Sequence, residues 1–187
     1  MANIRDRRVI RTKKNIYDAL FSLMEEKNYA KITVTDLAER ADINRKTFYV
    51  YYTGVDDLLE HIENELYEKY APIFRGIDVV SSEFDVYSFF QGLSDMIEKD
   101  MQVLQLLSRS GKLLGLEERT KKLLVEIFQE QLIKERESQE LRLYLEYAAA
   151  GILSMLSEWI QNPKSSLEDF TTFLAKVTLG SFRAIQS

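Results

Sequence analysis

The sequence predicts an all-α protein of about nine helices, on three observations. Only 7 Gly and 2 Pro interrupt the chain, so few positions force it to break. Strict alternation of β-branched and polar residues is nearly absent, which removes the signature of half-buried strands. Apolar residues instead return every three or four positions, the spacing that lines one face of a helix.

Each element follows from that spacing and from the residues that cap it. Ile16, Ala19, Leu20, Leu23 and Met24 give an amphipathic first helix over residues 11–27. Thr33, with Asp36 three residues on, has capping-box spacing and starts a second helix that runs to about Arg40. Asp42-Ile43-Asn44 forms a turn, and Asn44 caps a third helix over residues 45–51. Thr53 with Asp56 repeats the capping spacing before a fourth helix, which Pro72 and Gly76 end or kink near Tyr70. Ser82 with Asp85 starts a fifth helix, and residues 100–109 form a short sixth. Gly111 and Gly115 mark a loop before a seventh helix over 117–137; the last two span 139–161 and 167–185, separated by Asn162-Pro163.

Composition excludes several classes. With no cysteine there is no disulfide scaffold and no thiolate metal site or nucleophile. A single histidine removes multi-histidine zinc sites and disfavours a histidine triad, and no Gly-rich phosphate loop occurs. No cofactor or metal is therefore expected, and the chain does not read as an enzyme. No apolar run follows the basic start as in a signal peptide, and Tyr147–Leu156 is too short for a membrane span, so the expected compartment is the cytoplasm.

Net charge is −5, which alone argues against a nucleic-acid partner, but its distribution reverses the argument. Residues 1–53 hold 11 Lys/Arg against 7 Asp/Glu, while the remainder hold 14 against 23. A basic head on an acidic body puts any phosphate contact on the head, and the expected domains are 1–53 and 54–187.

Two short capped helices joined by a tight turn, the second basic and aromatic, form a helix-turn-helix pattern. Its second helix turns Lys46, Tyr49 and Val50 to one side, while Phe48 and Tyr52 anchor the other. Arg45 and Lys46 suit guanine edges in the major groove. Tyr49 and Tyr51 offer hydroxyls to phosphate, and Thr33 and Thr35 stand at the start of the preceding helix, beside its free N–H groups. The candidate DNA-binding set is Thr33, Thr35, Asn44, Arg45, Lys46, Thr47, Tyr49, Tyr51 and Tyr52. On pattern alone, the same residues also fit a solvated two-helix surface.

The run from Thr33 through Thr47-Phe48-Tyr49 to Tyr52, followed by Asp56-Asp57-Leu58-Leu59, resembles the DNA-binding domain of the tetracycline-repressor (TetR/AcrR) family. The resemblance covers residues 11–62. It implies a three-helix DNA-binding head, a helical ligand-binding and dimerisation body, and repression of double-stranded operator DNA relieved by a small molecule. Asp42 stands where the family usually has Gly, a tolerable exchange in a left-handed turn. Tyr51-Tyr52 replaces the usual His-Phe pair, and Val55 replaces a Lys that commonly opens the fourth helix. The basic run from Arg5 to Lys14 could compensate as a backbone-tracking arm.

The resemblance also implies a homodimer through the last two helices, 139–161 and 167–185, consistent with their apolar residues on more than one face. His61, Phe74, Phe89, Phe90, Met96, Met101 and Leu104 are the candidates to contact an apolar or aromatic effector, although such a stripe also serves as plain core. The alternatives are an activator or effector-independent regulator of the same fold, or an interaction module that has lost DNA binding.

Overall fold

The structure, a computed structural model, describes residues 4–132 and 139–185. Every regular element among them is helical: α1 (Ile4–Glu26), α2 (Val34–Arg40), α3 (Arg45–Phe48), α4 (Val55–Arg75), α5 (Val86–Lys99), α6 (Met101–Ser110), α7 (Leu113–Leu132), α8 (Gln139–Gln161) and α9 (Leu167–Ala184). A single 3-10 turn, Tyr29–Lys31, links α1 to α2. None of these helices is long and apolar enough to cross a membrane. The chain divides into two compact units, Met1–Glu63 and Asn64–Ser187. The first therefore extends past the expected boundary at residue 53 and takes in the first two turns of α4, where His61 meets the Tyr52 ring.

In the first unit α1 packs on α2 and α2 on α3. Ile16, Leu20, Leu37, Phe48 and Leu58 are wholly buried. In the second unit, one core cluster joins α5, α8 and α9 through Phe90, Ile97, Leu156 and Leu174. Another joins α4 to α7 through Ala71, Phe74, Leu124 and Ile127. Apart from its two packed faces, the end of the unit built by α8 and α9 leaves Leu143, Tyr147, Phe173 and Val177 exposed.

Several boundaries differ from the sequence expectation, each for a local reason. α1 begins at Ile4, so the basic stretch through Lys14 continues the helix and is not an extended arm. α4 continues through Pro72 to Arg75, since the ring sits on an exposed face and Gly76 N–H closes the end on Pro72 and Ile73 carbonyls. Asp57, not Asp56, receives the Thr53 amide and hydroxyl, at 2.7 and 3.1 Å. Asp85, not Ser82, caps α5: its carboxylate accepts from both the amide and the hydroxyl of Ser88. Left-handed Gly111 (φ 76) ends α6, and α7 starts at once because Leu113 and Leu116 bury its first turn. The end expected for the seventh helix, at residue 137, lies outside the described residues.

Candidate nucleic-acid interface

Three capping arrangements set the head's geometry. Thr33 Oγ1 accepts the Asp36 amide at 3.2 Å, and Asp36 accepts the Thr33 amide at 2.7 Å, closing the expected capping box on α2. Lys27 also pairs with Asp36 at 2.8 Å. The Lys27 ammonium, together with the Thr33 amide and hydroxyl, lowers the Asp36 carboxyl from 3.8 to about 2. At the other end of α2, Asp42 adopts φ 53; its amide reaches the Glu39 carbonyl, and the Ile43 amide reaches that of Ala38. This is a Schellman closure with Asp where glycine is commonest. Asn44 then caps α3 by accepting the Lys46 amide at 2.8 Å.

α3 has only four regular residues, but hydrogen bonds from the amides of Val50, Tyr51 and Tyr52 to Thr47 and Phe48 carry the coil to Tyr52. Phe48 and Tyr52 are buried, with ring centroids 5.6 Å apart. They hold this segment from beneath. Above them Tyr49 is 51% and Val50 75% exposed, and Arg45 and Lys46 are exposed as well. Arg40, by contrast, is occupied by Glu26 at 2.9 Å and by Ser22. Among the described residues, no ion pair engages Arg45 or Lys46.

The structure thus gathers most of the candidate DNA-binding set and divides it by depth. Thr33, Thr35, Asn44, Arg45, Lys46 and Tyr49 are exposed, and Thr47 and Tyr51 half-buried. Tyr52 lies in the head's core, where it positions the helix from behind. Val50, which sequence reasoning left off the set, is the most exposed large apolar side chain here; its place beside Lys46 and Tyr49 was the available signal. Arg7, Arg8 and Arg11 extend the basic surface along α1.

The second unit contains two adjoining cavities. The larger, about 260 Å³, is walled by Phe89, Phe128, Tyr144, Ile152 and Phe182, among others. The smaller, about 100 Å³, is walled by Tyr67, Tyr70, Met96, Leu104 and Glu117, among others. Of the candidate effector residues, Phe74, Phe89 and Phe90 line the larger, and Phe74, Met96 and Leu104 the smaller. His61 and Met101 line neither: His61 packs on Tyr52, and Met101 borders the α5–α8–α9 cluster. The walls contributed by α7, α8 and α9 were missed, because their apolar residues read equally well as core or as a dimer face.

The segment 16–62 matches the family model for bacterial regulatory proteins of the tetR family. A relative from Bacillus subtilis (strain 168), the uncharacterized HTH-type transcriptional regulator YxbF, is 29% identical over 109 residues. That stretch is 56% of this chain but only 28% of YxbF, so the chain spans well under half of the relative's length. Among solved structures, the fatty acid degradation regulator FadR from Bacillus halodurans has a similar fold, with a TM-score of 0.66 at 18% identity over 92% of this chain and 96% of that one. The TetR family repressor AlkX from Dietzia sp. strain DQ12-45-1b, implicated in biodegradation of n-alkanes, gives 0.55 at 17% identity over 92% and 95%. The capped helix-turn-helix lies inside the matched segment, so residues 16–62 are similar to the DNA-binding part of bacterial regulatory proteins of the tetR family, and the likeness to the solved structures extends to the helical fold of the rest of the chain.

Proposed function

We propose that the protein is a homodimeric repressor that releases its operator when a small apolar molecule enters the body. The observation that carries the DNA reading is the pinning of α3 by Phe48 and Tyr52, which leaves Arg45, Lys46 and Tyr49 exposed on one short helix. Arg45 and Lys46 read base edges in the major groove, Tyr49 packs on bases or phosphate, and Thr33, Thr35, Thr47 and Tyr51 hold the backbone. Asn44 sets the helix start.

The dimer reading is supported by an exposed stripe on each of the last two helices: Leu143, Tyr147 and Ala150 on α8, Phe173, Val177 and Gly180 on α9. Large residues followed by small ones let a second copy approach closely, as in a four-helix interface. A two-fold dimer presents its recognition helices about 34–36 Å apart, and so calls for a near-palindromic operator. The repressor reading leans on AlkX, a repressor by name, and on two cavities in the body that can receive an effector.

Footprinting on the DNA upstream of its own gene tests this directly. A protected two-fold site is expected, and protection without symmetry counts against the dimer. Lys46→Ala and Arg45→Ala should each weaken binding to that site by about 1–3 kcal/mol and relax one base position. Unchanged affinity in both variants would put the recognition surface elsewhere.

A further inference from the structure

The walls of the two cavities carry more information than their size. Phe74, Leu93, Thr120, Leu153 and Leu156 line both, so the two spaces share a wall. A ligand that occupies both has to reach across that wall, and is longer than either space alone requires. No Lys, Arg or His is among the described lining residues of either cavity, and the one carboxylate, that of Glu117, belongs to the smaller.

Two of the wall's phenols are also committed elsewhere. Tyr144 donates to the Thr178 carbonyl at 2.8 Å. Tyr70 donates to the Asp100 carboxylate, which Lys69 also holds at 2.6 Å. Burial pushes both phenols above their ordinary range, which keeps them neutral. An anionic head group entering here would lose its hydration, and no Lys, Arg or His side chain lines either space to replace it, while Glu117 lines the smaller.

We infer that the effector is an elongated, uncharged alkyl molecule spanning both cavities, its hydroxyl end beside Glu117, and that chains ending in a carboxylate are rejected. This rests on the reading that the cavities receive the effector.

The test is calorimetric titration of the full-length protein with 1-dodecanol and with dodecanoate, below their aggregation limits. Near neutral pH the alcohol should bind at least about tenfold more tightly, a difference of about 1.4 kcal/mol. Lowering the pH toward the carboxylate range should narrow the gap by making the acid neutral. Glu117→Lys should shift preference toward dodecanoate, because it adds the missing cation. Leu153→Trp, which fills the shared wall, should weaken dodecanol at least about tenfold while circular dichroism stays that of the parent. Dodecanoate binding as tightly as dodecanol in the unmodified protein would overturn the inference and leave an effector cavity standing. Failure of both to bind would sink the effector reading itself, and this inference with it.

Discussion

Asp42 holds a left-handed backbone at the C-terminal end of α2, where glycine would be free of strain. Its short side chain makes the conformation tolerable; a β-branched residue would not. Asp42→Val should destabilise the first unit by about 1–2 kcal/mol in denaturant titration, while Asp42→Gly should be close to neutral. The exchange was legible in the sequence, because an Asp in a three-residue turn between capped helices has few other reasons to be there. Asp36 carries a different sensitivity. Its folded-state pKa, about 2, lies below the unfolded value of 3.8, so its contribution is complete above the unfolded value and is lost as pH falls toward 2. Thermal melts across that window should converge for the parent and Asp36→Asn, having been clearly separated near neutral pH. Tyr52 marks the limit of reading residues singly. Its anchoring role and a DNA-contact role both fitted the sequence, and only its depth in the core distinguishes them.

α3 is too short to be stable by itself, since a few residues cannot repay helix nucleation. It persists because Phe48 and Tyr52 bury its underside and Asn44 caps its start. Phe48→Ala should cost about 3–5 kcal/mol, by removing the ring and leaving a cavity. In circular dichroism melts the head's transition should drop or disappear, and operator binding should be lost with it. The caps that came through as read, at Thr33 and Asn44, are those where one side chain had one nearby amide to serve. At α4 and α5, two acidic or hydroxyl residues lay within reach of the same helix start, and sequence spacing did not choose between them. The second unit was less legible for a related reason: an inward apolar face and an uncovered one have the same period, so α8 offered no clue as to which side lines a cavity.

At the scale of the whole molecule, the proposed dimer rests on the exposed stripe on α8 and α9. Tyr147→Glu places a charge in the middle of that stripe and should yield monomers by sedimentation velocity. Affinity for a full operator should then fall far more than affinity for a half-site. The asymmetry of charge along the sequence is legible whatever the tertiary arrangement is, and it is one reason phosphate contact is proposed for the head. The start of α1 has a consequence of a different kind. Among the described residues its first buried side chain is Ile16, so the turns bearing Arg7, Arg8 and Arg11 have no core beneath them and depend on local helix propensity. Warming would melt those turns well before the head unfolds. The arginines would keep their charge and lose their fixed direction, so a warm protein would keep its salt-sensitive attraction to phosphate while α3, held by Phe48 and Tyr52, still presents the same side chains.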